Sequence, residues 1–254
     1  MLIKEIKKIF KLKSFRYLIV FNIIFIIIFL FKEESKSNFF SYYINVILDV
    51  SNVVFFYNIF ICVIIGEIIS DEIHTGSIYY LIIKQKNIRK VLEIKTISCI
   101  LLTFSILAFN IFSISMFGLF TKEIEPLVVL KNVNEVILKD DCINESIFRI
   151  TFFNINLLFG IVIITLLSVI VSIFARNKIS SIISSFIVIM IATYPINIKG
   201  KVYSLIFYKL PLIKLYIPIT DYVKYITSNN VIYILVIFIL SLFVNLSWRL
   251  RNEL

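Results

Sequence analysis

Charge is scarce in this sequence: Asp, Glu, Lys and Arg make up 17% of its 254 residues, while 60% are apolar. A soluble domain of this size needs a larger polar surface, so the composition points to the membrane class. Glycine is scarce as well. The five are Gly66, Gly76, Gly118, Gly160 and Gly200. None stands in the close spacing, followed by Lys and Ser or Thr, that cradles a phosphate. The chain is therefore not expected to bind or hydrolyse ATP by itself. His74 is the one histidine, which excludes a two-histidine zinc helix, and no Ser or Cys is spaced to argue for a triad with it. Cys62, Cys99 and Cys142 form neither a metal spacing nor a disulfide framework. No catalytic residue, metal ligand or cofactor site is expected, and the chain is read as a non-enzyme.

The apolar residues come in long unbroken runs. A barrel needs alternation instead, so helices are the expected spanning elements, with every backbone group bonded internally. Six spans are predicted, over about 17–31, 50–69, 97–120, 150–174, 179–195 and 231–248. From Leu18 to Phe31, thirteen of fourteen residues are Ile, Leu, Val or Phe. At roughly −0.4 kcal/mol each they favour insertion by about 5 kcal/mol, which Asn22 does not cancel. Residues 1–16 carry Lys4, Lys7, Lys8, Lys11, Lys13 and Arg16, with Leu2, Ile6, Ile9 and Phe10 at helical spacing. This pattern predicts a basic amphipathic helix on the membrane surface. A signal peptide has the same basic-then-apolar order. No small-residue cleavage site follows, so an uncleaved anchor is expected.

The formal net charge is +10. It is read as flanking charge that orients the spans, with no nucleic acid partner expected. With the N-terminus inside, the inner segments hold fifteen basic and six acidic residues, a net of +9. The outer segments hold eleven and ten, a net of +1. The positive-inside rule selects this orientation, with both termini cytoplasmic. The outer segment 196–229 is apolar around 203–217 but interrupted by Lys209, Pro211 and Lys214. It is read as an outer re-entrant or interfacial helix pair between spans five and six. A seventh span there would put Arg249 and Arg251 outside, against the charge rule.

Spans three to five carry no charged residue, which disfavours ion-coupled transport. Asn22, Asn52, Asn58, Asn110, Asn154 and Asn156 sit in or near spans. They suit interhelical hydrogen bonds, or the lining of a substrate path. Ser180, Ser181, Ser184 and Ser185 form two small-xxx-small pairs on span five. They permit close helix approach within this chain or with a second one. The inner segment 70–96 has acidic residues, then an apolar patch at Ile78, Leu81 and Ile82, then Lys84, Lys86, Arg89 and Lys90. Such a segment suits docking of a cytoplasmic partner, and equally an interfacial helix whose basic end meets anionic lipid head groups.

The run of Glu72, three residues, Gly76, Ser77, a short apolar helix through Ile78 and Leu81, a basic cluster with Arg89, and Lys95 opening the next span resembles the ABC type-2 (ABC-2) transporter permeases. After the apolar helix that family often has Pro and then Ser-Arg, where this chain has Gln85-Lys86-Asn87-Ile88-Arg89. The layout of basic helix, six spans and outer re-entrant pair resembles it over the whole chain, as a single permease domain of 254 residues. Size and Ile/Phe richness are also similar to small bacterial permeases for immunity or resistance to antimicrobial peptides such as lantibiotics. The resemblance implies an exporter subunit in the bacterial cell membrane. It implies a second permease chain, identical or related, and separate ATPase subunits that use the ATP and press on the 70–96 loop. The rival expectation is a membrane-embedded sensor or scaffold that docks a cytoplasmic partner without transport.

Overall fold

The computed structural model describes residues 2–32, 38–48, 58–85, 88–125, 143–175, 177–193, 196–198, 201–203 and 219–253. The elements are α1 (Leu2–Phe10), α2 (Lys13–Lys32), α3 (Phe39–Leu48), α4 (Phe60–Ile65), a π-helical turn (Gly66–Ser70), α5 (Asp71–His74), α6 (Ser77–Gln85) and α7 (Ile88–Thr121). There follow α8 (Ile143–Phe174), α9 (Lys178–Thr193), an antiparallel hairpin of β1 (Ile196–Ile198) and β2 (Lys201–Tyr203), and α10 (Ile219–Glu253). Apart from that hairpin, the regular elements are helical. Among the described residues, three helices are long and apolar enough to cross a membrane: α7, α8 and α10 within 230–247.

The core follows from spacing. On α2, Phe15, Leu18, Asn22 and Ile26 recur every three or four residues and are buried, while Tyr17, Val20, Phe21 and Ile28 are exposed. A helix apolar on all sides but buried on one fits contact with protein on one face and lipid on the rest. The central helix is α8. In its most apolar stretch 61% of residues are buried, against 17% for α10, which lies along its flank. Lipid tails are as apolar as Leu, so helices inside a bilayer are joined by close packing and polar contacts. Small polar residues of α8 make such a seam. Thr165 Oγ1 donates to Thr103 Oγ1 of α7 at 3.1 Å, and Ser181 Oγ of α9 donates to Ser172 Oγ at 2.8 Å. Ser168 Oγ lies 3.8 Å from Cys62 Sγ of α4.

One buried helix was not anticipated by sequence. α3 is capped by Asn38, whose Oδ1 accepts the Ser41 amide at 2.8 Å, a standard helix start. It packs on α7 and α8, and Tyr43 Oη donates to Asn154 Oδ1 at 3.0 Å. A Cβ on Gly118 of α7 would come within 3.0 Å of Phe39 and Tyr42, so the glycine permits this approach. Phe39 N donates to Glu123 O at 2.9 Å, which joins two segments that charge had assigned to the outer side.

Three boundaries differ from the sequence reading. The amphipathic helix stops at Phe10, not near residue 16; a turn at Lys11 and Leu12 separates it from α2. Segment 70–96 is largely helical rather than a loop, and its last nine residues are the start of α7. The outer segment expected as a helix pair begins instead as the β1–β2 hairpin, and its residues from Ile219 onward belong to α10. Residues 204–218, the apolar part of that expected pair, lie outside the described residues, as does Asn52.

Candidate functional site

The segment that carries Glu72 and Gly76 is built by a change of helical pitch and then a left-handed residue. From Phe60 the backbone runs without a break through the π turn Gly66–Ser70 into α5. One wide turn of this kind shifts every following side chain around the axis, which turns Glu72 and Ile73 inward; both are buried. Gly76 then adopts φ +75°, a conformation open to glycine and strained for other residues. Its amide donates to Ile73 O at 3.2 Å, and the Thr75 amide donates to Asp71 O at 2.9 Å, satisfying carbonyls at the end of α5. Ser77 Oγ donates to Glu72 O at 3.3 Å and closes the turn.

A Cβ on Gly76 meets nothing within 4 Å in this chain, so within the chain the glycine serves the turn. It also reorients the apolar patch. Ile78 is buried, and Leu81 and Ile82 pack against the core. Those three face the chain's own interior. The outward side of α6 is Tyr79, Tyr80 at 68% exposure and Ile83 at 74%.

Glu72 and Lys95, singled out separately in the sequence, meet. Lys95 Nζ lies 2.6 Å from Glu72 Oε2 and 2.6 Å from Glu5 Oε2. The Glu5 contact is a hydrogen bond; the Glu72 oxygen faces the ammonium as a charge contact without hydrogen-bond geometry. Lys8 Nζ donates to the other oxygen, Glu72 Oε1, at 2.5 Å. Two carboxylates and two ammoniums thus alternate across α1, α5 and α7. The Lys95 and Glu72 side chains are 2% and 6% exposed, Lys8 57%. Burial pulls the Lys8 ammonium down. The Glu72 hydrogen bond, with the charges of Glu72, Glu5 and Asp71, outweighs it and holds the pKa above the usual 10.5. The Lys95 pair is of the kind that costs much to desolvate and more to break.

A second ion pair ties the same region to α9. Lys178 pairs with Glu67 of the π turn, and Asn177 Oδ1 caps α9 by accepting the Ser180 amide at 2.7 Å. Of the four serines, Ser181 and Ser185 are buried and Ser180 is exposed. Ser184 turns its hydroxyl back to Ser180 O at 2.6 Å. A Cβ on Gly66 would lie 3.0 Å from Ile182 Cγ1 and 3.5 Å from Ser181 Oγ. The close approach on this face is therefore within one chain.

Arg89 stands in the first turn of α7, at the head of the same helix as Lys95. The sequence reading missed Glu5, Lys8 and Lys178 as partners. A signal for the first two was present, since opposite charges three residues apart share a helix face. Among the described residues no three His, Cys, Asp or Glu side chains gather as metal ligands do. No family model, no curated protein and no solved structure matches the chain.

Proposed function

We propose that this chain is the membrane-spanning permease subunit of an ATP-driven ABC exporter in a bacterial plasma membrane. In this reading it crosses the bilayer six times, with both termini cytoplasmic. The spans are α2, the segment leading through α4, then α7, α8, α9 and α10. Two permease chains, identical or related, act with separate ATPase subunits that bind and hydrolyse the ATP. The cargo is amphipathic or hydrophobic, such as an antimicrobial peptide.

The observation that carries this reading is the Lys95–Glu72 pair. An exporter of this kind must pass motion from a cytoplasmic partner into a span. Here α6 turns Tyr79, Tyr80 and Ile83 outward, a compact apolar face of the sort that docks a partner. It follows directly on α5, and Glu72 of α5 is ionically joined to Lys95 inside α7. Pressure on α6 is thereby passed to a helix of 34 residues. Such a helix is about 51 Å long, well beyond the ~30 Å hydrocarbon core.

The outward face of α6 would serve a sensor or scaffold equally, and export distinguishes the two. The chain is co-expressed with a candidate ABC ATPase subunit and purified by its own tag. The ATPase should co-purify, and cells should extrude a fluorescent cationic antimicrobial peptide only when the ATPase is active. Tyr80→Ala with Ile83→Ala should lose both, at wild-type membrane levels. Retention of the ATPase by that variant removes α6 as the dock. Binding of a partner without any ATP-dependent efflux favours the sensor reading.

A further inference from the structure

α7 meets α1 and α2 along a groove that holds two apolar cavities in line. The first, about 190 Å³, is bordered by Ile6, Phe10, Ser98 and Leu101. The second, about 260 Å³, is bordered by Phe10, Phe15, Leu18 and Phe109. Ser105 borders both, as does Phe10. The groove follows α7 from Ser98 to Phe109, about 16 Å at 1.5 Å per residue. That is half of a ~30 Å hydrocarbon core, the depth of one leaflet and so of one acyl chain. The two wall hydroxyls are already committed. Ser98 Oγ donates to Ile94 O at 2.7 Å and Ser105 Oγ to Leu101 O at 2.9 Å. The walls therefore give water or a polar ligand few partners.

Charge flanks this groove along α1 and the turn that follows it. Lys7, Lys11, Lys13 and Arg16 are exposed on α1 and the turn into α2. Lys7 lies one helical turn before Phe10 on α1, and Lys11 follows Phe10 in the turn that ends the helix. Glu5, the one acidic residue of α1, is turned away to Lys95. We propose that the groove is a phospholipid site. One acyl chain of an anionic phospholipid lies along α7 between Ser98 and Phe109, and its phosphate is held by Lys7 and Lys11. The site is separate from the α6 face and depends only on α1 lying at the membrane surface, not on transport.

The test uses the purified full chain in micelles with phosphatidylglycerol carrying a photoactivatable acyl chain. Labelled positions should concentrate between Leu101 and Phe109, and at Phe10 and Phe15. Unlabelled phosphatidylglycerol should compete, and phosphatidylcholine with the same chains should not. Lys7→Gln together with Lys11→Gln should lower labelling by about thirty-fold, the effect of two ammoniums near a charged surface. Ser105→Phe, which puts a ring at the border shared by the two cavities, should lower it as well. Labelling spread evenly over the exposed faces of α2 and α10 overturns the site, as does equal competition by the two lipids. Wild-type labelling of the Lys7, Lys11 double variant overturns it too, whatever the fate of Ser105→Phe.

Discussion

Lys95 Nζ lies 2.6 Å from Glu72 Oε2, in a contact 2% exposed on the lysine side. The two residues belong to different helices, α5 and α7, and the pair is shared with Glu5 of α1. Removing one member of a buried ionic group leaves the others uncompensated, at a cost of about 3 kcal/mol. Lys95→Met should therefore lower the thermal midpoint of the purified chain markedly. Replacing Glu5, Glu72 and Lys95 together by Gln, Gln and Met should restore much of the loss. A triple variant less stable than Lys95→Met alone contradicts a mutually compensated cluster.

Lys8 should behave differently, because its side chain is 57% exposed. Solvent screens its pair, and Lys8→Gln should cost no more than about 1 kcal/mol. Its folded-state pKa stands above 10.5. A raised lysine stabilises fully below the unfolded value, and that contribution is lost as pH rises through the folded value. Wild type and Lys8→Gln should thus differ by a constant melting shift from neutral pH to about 9. The gap should close above 10.5. A gap that closes on acidification instead assigns it to another group.

Gly76 is held at φ +75° with open space around it. Backbone strain alone should set the cost of substitution, about 1 kcal/mol for Gly76→Ala and less for Gly76→Asn, since Asn tolerates the left-handed region. Thermal melts of the two variants check this. Equal losses would point to a contact rather than a turn.

On α9 the serines divide by face. Ser181→Leu inserts bulk between Ser172 and the π turn near Gly66 and should destabilise by about 1–3 kcal/mol through overpacking. Ser180→Leu, on the exposed side, should stay within about 0.5 kcal/mol of wild type. If span five also meets a second chain, Ser180→Leu should change the oligomeric state seen by light scattering while Ser181→Leu does not. The opposite result places the second chain on the buried face.

Orientation is checked from outside the cell. In a background without native cysteines, a cysteine at Ser37 should react with an impermeant reagent and one at Asn252 should not, as the basic balance of the inner segments requires. The reverse labelling inverts the chain.

Long runs of Ile, Leu and Phe made α7, α8 and α10 legible, because a span is a property of average composition. Pairing was less legible. Glu72 and Lys95 were recognisable as a pattern, yet their contact depends on the π turn at Gly66–Ser70, whose extra residue per turn leaves no mark in hydropathy. The buried helix α3 was hidden for a similar reason, since FFSYYINVIL is too short to span and carries no charge to mark a face. On α6, apolar residues occur on both sides, so Ile78 and Leu81 looked as available as Tyr80 and Ile83. Packing alone separates them.

The length of α7 has a mechanical consequence. It is one unbroken helix from Ile88 to Thr121, held near its N-terminal end by Glu5 and Glu72 and near its C-terminal end, at Gly118, by Phe39 and Tyr42. A rod of about 51 Å pivoting at its middle through about 10° moves each tip by about 4 Å in opposite directions. Under the proposed function, a push at Lys95 would swing the far end of α7 against α3. In the proposed exporter the bundle would then work as a seesaw, with its two seats at the two ends of α7.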